Sequence, residues 1–191
     1  ALWVSEGSDK FTKQLGDPFK NPPANLVVMN GNLYFSAGNP ITAGGSTDTG
    51  IELWRQDNNT GVTPKLVKDI ATGSKSSNPR YLVSAGLNGP LYFLADGPTG
   101  ATLYRSDGTE AGTVPVVEGQ TMQPPIKLET LAWSGTKSPS GFPVSGKNLF
   151  LRGDRSGDVG VELFVYKLPD TTRPRIVSVT PPPNGTYNAG A

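Results

Sequence analysis

A short segment recurs four times along the chain, and this repeat constrains the fold more than any other feature. Each copy contains a leucine followed by an aromatic residue, and the leucines are Leu2, Leu53, Leu103 and Leu163. The steps between successive leucines are 51, 50 and 60 residues. A period near fifty residues predicts a solenoid or a propeller built from repeated units, and it argues against one irregular enzyme domain.

A second recurring segment supports the same period. It reads Asn-Gly-Asn-Leu-Tyr-Phe over Asn30–Phe35, and related copies lie at Asn88–Phe93 and Gly146–Leu151. The first two copies begin with Asn-Gly, a pair that favours a tight hairpin because both turn positions require positive φ. Each unit is therefore predicted to contain a hairpin that ends in a strongly apolar strand.

Each unit can be divided into four short strands joined by Gly-, Asn- and Ser-rich turns. The predicted strands are 26–29, 33–37, 52–56 and 64–70, then 81–84, 91–95, 102–106 and 113–117, then 128–133, 149–152 and 161–166. The opening residues 2–15 supply the last two strands of an earlier unit. Four antiparallel strands at this period are typical of a β-propeller blade. The predicted fold class is all-β, with about three and a half propeller-type units and an extended Pro-rich tail.

The predicted repeat domain covers 1–168, and the tail covers 169–191. Its units are 1–20 (partial), 21–74, 75–120 and 121–168. The tail is interpreted as a semi-rigid linker, although its apolar alternation leaves open an extra strand of the last unit. Because propellers have four to eight blades, three alternatives remain: a part of a longer propeller, chains that complete one another, or an open stack.

Composition removes several classes of function. The chain has 24 Gly and 18 Pro among 191 residues, which disfavours long helices. It carries 17 basic and 16 acidic residues, a balance that gives no reason to expect nucleic acid or an anionic membrane as a partner. No apolar run is long enough to insert into a membrane. The absence of Cys and His removes thiol chemistry, the commonest general base and the commonest transition-metal ligand.

The segment Leu103–Thr113 closely resembles the ELWxxDGT repeat of large bacterial surface and secreted proteins. Leu66–Ile70 and Asn88–Phe93 are similar to the remainder of that repeat. The resemblance covers roughly 1–168 and weakens at both ends, where Glu6–Ser8 and Lys167–Pro169 replace the Asp-Gly-Thr element.

This resemblance implies a propeller-like fold in an extracellular, multidomain bacterial protein without enzymatic activity. The tail over Thr172–Ala191 resembles the lead-in to an immunoglobulin- or cadherin-like module. Both resemblances lead us to expect a secreted or cell-surface location.

Calcium is the one cofactor that the sequence suggests. Asp154 and Asp158 flank a Gly-containing turn, and Asp48 and Asp96 lie in the corresponding loops of earlier units. Carboxylates at this spacing are able to converge on a hard cation that takes six to eight oxygen ligands. The turn lacks the full spacing and the bidentate Glu of the helical calcium loop, so a solvated turn is the alternative.

Aromatic residues offer two interpretations. The aligned series Trp3, Trp54, Tyr104 and Phe164 forms either a set of sugar-stacking platforms or the packing between neighbouring sheets, and strand aromatics favour packing. Two other aromatic residues are better candidates for contact with a glycan. Trp133 directly precedes a Ser-, Gly- and Pro-rich insertion, and Phe142 lies within it.

No catalytic residue is predicted, because no carboxylate pair stands out from the repeat. Glu52 and Glu162 recur with the repeat, and Asp107–Thr109 has the form of an Asp-stabilised turn. The prediction is therefore a non-enzymatic extracellular structural or adhesive module, with other copies or neighbouring domains as partners. It presents loops to those partners or self-assembles through the edges of its repeats. The alternative is a carbohydrate-binding propeller module that recognises glycans.

Overall fold

In the computed structural model the chain is all-β. The structure describes residues 1–41, 48–58, 62–86, 89–97, 100–116, 126–128, 144–145, 147–155 and 161–168. For 126–128, 151–155 and 161–164 the description concerns the backbone alone. Within these ranges one three-residue 3-10 turn, Asp9–Phe11, is the only helical element.

The strands are short, as the frequent turn residues lead one to expect. In chain order they are β1 (Leu2–Val4), β2 (Lys13–Leu15), β3 (Ala24–Met29), β4 (Asn32–Ala37), β5 (Glu52–Gln56), β6 (Lys65–Lys68), β7 (Arg80–Ser84), β8 (Leu91–Gly97), β9 (Gly100–Ser106), β10 (Val114–Pro115), β11 (Ile126–Leu128), β12 (Val144–Ser145), β13 (Asn148–Arg155) and β14 (Val161–Lys167).

These strands form four antiparallel sheets that follow one another along the chain. The first sheet contains β1 and β2, the second contains β3-β4-β5-β6 and the third β7-β8-β9-β10, in spatial order. In the fourth sheet β11 and β12 pair with one edge of β13, and β14 pairs with its other edge. The second and third sheets are thus the four-stranded meanders expected from the repeat.

The predicted Asn-Gly hairpin is confirmed. Met29 pairs with Asn32, so the loop between β3 and β4 has two residues. Asn30 has φ 51° and Gly31 has φ 77°, the left-handed conformations that a type I′ turn requires. This turn fixes the register of β3 against β4, and therefore decides which side chains of β4 lie on each face.

The first strand of each full sheet contains a β-bulge, which the sequence pattern does not predict. The register shifts between Ala24 and Val27 in β3, and between Arg80 and Val83 in β7. At the bulge Asn25 has φ 53° and Tyr81 has φ 57°. Because the bulge recurs at the same place, it belongs to the architecture of the unit.

The sheets pack face to face in series. One apolar cluster joins the first sheet to the second, another joins the second to the third, and the last joins the third to the fourth. Strand β8 shows the consequence, because Leu91–Ala95 are all at most 2% exposed. Tyr92 lies on the face of β8 that packs against the fourth sheet, and its ring is 5.8 Å from that of Tyr166.

The described strands do not close into a propeller ring. The third unit also differs in detail from the prediction. Its first described strand begins at Ile126 rather than at Leu128, whereas 129–133 lie outside the described residues, and the two-residue β12 lies inside the stretch expected to be an insertion.

Candidate assembly surface

Alignment of the units assigns a constant direction to each repeated side chain. The leucine of the repeat faces the following sheet: Leu2 packs on the second, Leu53 on the third and Leu103 on the fourth. The next residue faces the preceding sheet. Trp54 packs on the first sheet and Tyr104 on the second.

The buried aromatics of this series are held by specific contacts. The indole N–H of Trp54 donates to the carbonyl of Ala37 at 3.0 Å, and its ring meets that of Phe19 edge-on at 5.3 Å. Tyr104 stacks on Phe93 with ring centroids 5.7 Å apart. The interpretation of the series as packing between sheets is therefore confirmed for Trp54 and Tyr104.

Trp3 occupies the same position in the first sheet but is 62% exposed. Its neighbour Leu2 is buried against the second sheet, so Trp3 lies on the opposite, outward face. The environment of this aromatic residue thus differs from that of Trp54 because no described residue packs over the outer face of the first sheet. The side chain of Phe164, the last member of the series, lies outside the described part of the structure.

Among the described residues, the first sheet has two strands. By the repeat, β1 is equivalent to β5, and β2 is equivalent to β6. In the second sheet β5 pairs with β4 over Glu52–Gln56, whereas β1 pairs with β2 alone among the described strands. The outer edge of β1 therefore presents unpaired backbone groups at the place where each full sheet has its second strand.

Two apolar side chains of β3 are also uncovered among the described residues. Leu26 is 51% and Val28 is 61% exposed, although both lie in a strand. Their equivalents in the third sheet are Leu82 and Ser84, and Leu82 is only 2% exposed because it packs on the second sheet. We name the outer edge of β1 together with Leu26 and Val28 the candidate assembly surface.

Nothing in the local sequence distinguishes Leu26 and Val28 from other residues of a first strand. Alignment of the units identifies Leu26, because its counterpart Leu82 in β7 is covered by the second sheet. The neighbouring charges are mixed, with Glu6, Lys10 and Lys13 beside β1, so the site is apolar with a polar margin.

The repeated glutamate serves the fold in the second sheet. Glu52 is fully buried. Its carboxylate accepts hydrogen bonds from the backbone N–H groups of Ile70 (3.0 Å), Ala71 (3.3 Å) and Ser77 (2.9 Å). It also accepts the Ser77 hydroxyl at 2.5 Å. Burial raises the pKa of Glu52 while these hydrogen bonds act to lower it. The side chain thereby fixes the connection between the second and third sheets.

The Asp-Gly-Thr element forms a closed turn. Asp107 Oδ1 accepts the backbone N–H of Thr109 at 2.9 Å and its hydroxyl at 2.7 Å, and these bonds lower the pKa of Asp107. Gly108 has φ 93°. Its carbonyl accepts a hydrogen bond at 3.0 Å from Arg55, which lies in the second sheet. The turn thus joins two adjacent sheets, and the expectation that it is structural agrees with this geometry.

A shallow cavity of about 180 Å³ lies beside this turn. Arg55 and Lys65 line it, and both are paired with Asp57, at 2.6 and 3.4 Å. Small-molecule sites usually enclose roughly 300–1,000 Å³. The small volume and the paired charges indicate a polar contact between two sheets rather than a ligand pocket.

The candidate calcium residues are distributed over several environments. Asp48 contacts Lys20 at 3.2 Å, and Asp96 contacts Arg80 at 2.9 Å, so each carboxylate already faces a cation. The backbone of Asp154 lies within β13, and Asp158 lies outside the described residues. In the described ranges no three acidic side chains are grouped in a way that would hold a metal ion.

Trp133 and Phe142, the residues predicted to contact a glycan, also lie outside the described residues. Comparison with protein-family models, with curated proteins and with solved structures found no match for this chain. Within the described ranges, no helix combines the length and apolar character needed to cross a membrane.

Proposed function

We propose that this chain is a non-enzymatic, extracellular structural or adhesive module. Its propeller-type sheets present loops to partners and assemble with other copies or neighbouring domains through incomplete repeats. The observation that carries the proposal is the serial packing of repeated sheets, in which one apolar cluster joins each described sheet to the next. Exposed strand edges are templates for pairing with another chain.

The succession of sheets supports the propeller-type assignment. The second and third sheets are antiparallel four-stranded meanders in chain order, and they pack face to face. Their first strands, β3 and β7, lie beside one another. This is the arrangement of adjacent blades, whose inner strands approach most closely. The secreted or cell-surface location is proposed from the resemblance to the ELWxxDGT repeat.

The use of the repeated acidic residues supports a non-enzymatic role. Both oxygens of Glu52 accept backbone N–H groups, and Asp107 Oδ1 accepts two hydrogen bonds from Thr109 in its own turn. Asp48 and Asp96 are paired with cations. A carboxylate that serves as an acid, a base or a metal ligand needs a free oxygen directed at substrate or ion, and these four are engaged within the fold.

The test is the absolute mass of the purified chain by light scattering across a concentration series, with calcium and with chelator. We expect the mass to rise above the 20.1 kDa of one chain as the concentration increases. We expect calcium to leave that rise unchanged, because cations already face Asp48 and Asp96. A mass of one chain at every concentration would contradict self-assembly, and a rise only with calcium would restore the metal site.

A second candidate function, glycan binding, is favoured by one observation. Trp3 is exposed on a sheet surface, where an indole ring is able to stack on a sugar face. The test is a glycan array, with Trp3→Ala as the variant. Binding that disappears in this variant would support the second candidate, and a blank array would remove it.

A further inference from the structure

We propose that Asn30 is a site of spontaneous deamidation, which converts the tight turn between β3 and β4 into an isoaspartate link. The inference is independent of the proposed function, because it concerns the chemistry of the turn itself. Asparagine is among the thermolabile residues of proteins, and its side-chain amide reacts with the backbone nitrogen of the next residue. Of the asparagines that the structure describes, Asn30 alone precedes a glycine.

The reaction uses only water and hydroxide from the solvent. The backbone nitrogen of Gly31 gives up its proton and attacks Cγ of Asn30. The new N–C bond closes a five-membered succinimide, and the side-chain nitrogen takes up a proton and leaves as ammonia. Water then opens the ring. Cleavage at the side-chain carbonyl gives aspartate, and cleavage at the main-chain carbonyl gives isoaspartate, whose backbone runs through Cβ and Cγ.

Both reacting groups in the turn are accessible. Asn30 and Gly31 are exposed. A Cβ placed on Gly31 would meet no atom within 4 Å, so nothing crowds the approach of its nitrogen. Among the described residues, neither the Asn30 amide nor the Gly31 N–H has a hydrogen-bond partner. The nucleophile and the amide that it attacks are therefore not held by the fold.

The chain offers a contrast at Asp107-Gly108, because aspartate followed by glycine forms the same succinimide with water as the leaving group. There the Asp107 carboxylate accepts the N–H and the hydroxyl of Thr109 at 2.9 and 2.7 Å. The N–H of Gly108 donates to the Ser106 hydroxyl at 3.0 Å, and Gly108 is buried. Both reacting groups are engaged, so Asp107 should stay intact while Asn30 changes.

Isoaspartate lengthens the loop between β3 and β4 in its backbone. The loop has two residues, and Met29 pairs with Asn32 beside it. A type I′ turn fits two residues of ordinary length, so the longer link cannot keep both the turn and the pair. The register that this turn fixes directs Tyr34 toward the third sheet and Phe35 toward the first. The modification therefore acts on the packing of both faces of the second sheet.

The experiment incubates the full chain at mildly alkaline pH and follows deamidation by mass spectrometry of its proteolytic peptides. Peptide mapping separates Asn30 from Asn88 and Asn184, which also precede glycine and lie outside the described residues. We expect conversion at Asn30 to be at least about tenfold faster than at any other described asparagine, because the residues that follow those carry side chains that hinder the attack. Isoaspartate should not form at Asp107 in the folded chain.

Two results of this incubation would overturn the inference. One is faster conversion at another described asparagine. The other is an intact Asn30 in the folded chain after the same residue has been converted in the chain unfolded by urea, because the fold would then protect the turn.

Two variants separate the change in the backbone from the change in charge. Asn30→Asp carries the charge of the product on an ordinary backbone, and Asp-Gly also favours a type I′ turn. Fresh Asn30→Asp should therefore unfold at the same urea concentration as the wild type. Aged wild-type chain, enriched in isoaspartate at Asn30 by ion exchange, should unfold at a lower urea concentration.

Asn30→Gly is the matched control for ageing, because Gly-Gly suits the same turn and lacks the amide. It should keep its initial urea midpoint through the incubation. An equal loss of stability in aged Asn30→Gly would assign the damage to another site and overturn the inferred effect on the sheet. Equal midpoints for the isoaspartate chain and Asn30→Asp would overturn it as well.

Discussion

Glu52 and Asp107 respond to their surroundings in opposite ways, although both belong to the repeat. Burial raises the pKa of Glu52, since its carboxylate lies in the interior between sheets. Hydrogen bonds from Thr109 lower the pKa of Asp107, which is near the surface. The first carboxylate organises a connection from inside, and the second closes a turn from outside. Residue type alone does not distinguish these roles.

The Asp107 turn gives a pH prediction. Because the folded pKa is below the ordinary aspartate value of 3.8, the stability that Asp107 adds is fully present above that value. It is lost as the pH falls through the lower folded pKa. Asp107→Asn keeps an acceptor oxygen and removes this part of the pH dependence. Asp107→Ala removes the acceptor and should cost about 1 kcal/mol at neutral pH.

Urea unfolding at a series of pH values from neutral to well below 3.8 measures this effect. The quantity compared is the difference in free energy of unfolding between the wild type and Asp107→Asn. If that difference stays constant with pH, the aspartate makes no proton-linked contribution to the fold.

At the scale of elements, the hairpin between β3 and β4 depends on two left-handed residues. Gly31→Ala should destabilise the chain by about 1–2 kcal/mol, the usual cost of the left-handed region for a residue with a Cβ. The space beside Gly31 is open, so the cost comes from the backbone alone. The control is Gly97→Ala, where φ is not left-handed and a Cβ would meet Tyr104 at an ordinary 3.5 Å. Chemical denaturation should rank Gly97→Ala well above Gly31→Ala in stability.

The contact between the second and third sheets offers a double-mutant test. A Cβ on Gly108 would collide with the hydroxyl of Tyr34, in addition to the strain of φ 93°. Gly108→Ala should therefore cost more than Gly31→Ala. Tyr34→Phe removes the colliding oxygen and should recover part of the loss.

The cycle is measured as free energies of unfolding for the two single variants and the double variant. Coupling between contacting residues is typically about 0.5–3 kcal/mol. Strict additivity would show that the turn and β4 do not meet in the way the structure has them.

The sequence predicts the strands well where polar turns and apolar runs alternate clearly. Residues 52–56 were predicted as a strand, and β5 covers that range. β3 begins at Ala24 rather than at Leu26, because the bulge at Asn25 lets the chain pair before the apolar run starts. A bulge depends on tertiary pairing, which no local pattern records. The same holds for Tyr81, whose left-handed φ is unusual for an aromatic residue.

The candidate site was only partly predictable. The half unit over residues 2–15 was visible in the sequence, and so was the prospect of an exposed edge. The exposure of Trp3 was not predictable from its similarity to Trp54, because burial depends on what packs over the face. For the same reason, the sequence predicts that Leu26 is buried like other apolar strand residues. Its exposure follows from the two described strands of the first sheet.

At the scale of the whole molecule, serial packing makes each sheet depend on its neighbours. In such arrays stability is approximately a sum of unit and interface terms. The second and third sheets have partners on both faces, whereas β1 and β2 share one apolar cluster with the second sheet. The first sheet should therefore open at a lower free energy than the second and third sheets.

Hydrogen exchange followed by mass spectrometry tests this order. We expect amides of β8 and β9 to exchange slowest and those of β1 and β2 to exchange much faster under native conditions. Uniform protection across all four sheets would show a single cooperative unit.

The contact between Tyr92 and Tyr166 makes the packing of the third sheet on the fourth sensitive to high pH. Tyrosine absorbance can follow this sensitivity. Burial raises the pKa of Tyr92 to about 12 from an ordinary value of 10.0. The stability that the neutral phenol contributes is therefore fully present below pH 10 and is lost as the pH rises toward 12. Burial also raises the pKa of Tyr34 and Tyr104, so the ultraviolet absorbance of tyrosinate should show several late-ionising phenols. The Tyr92→Phe variant should lack one of them. In an alkaline titration, the pH at which the Tyr92-dependent absorbance appears would mark the pH at which the contact between the third and fourth sheets weakens.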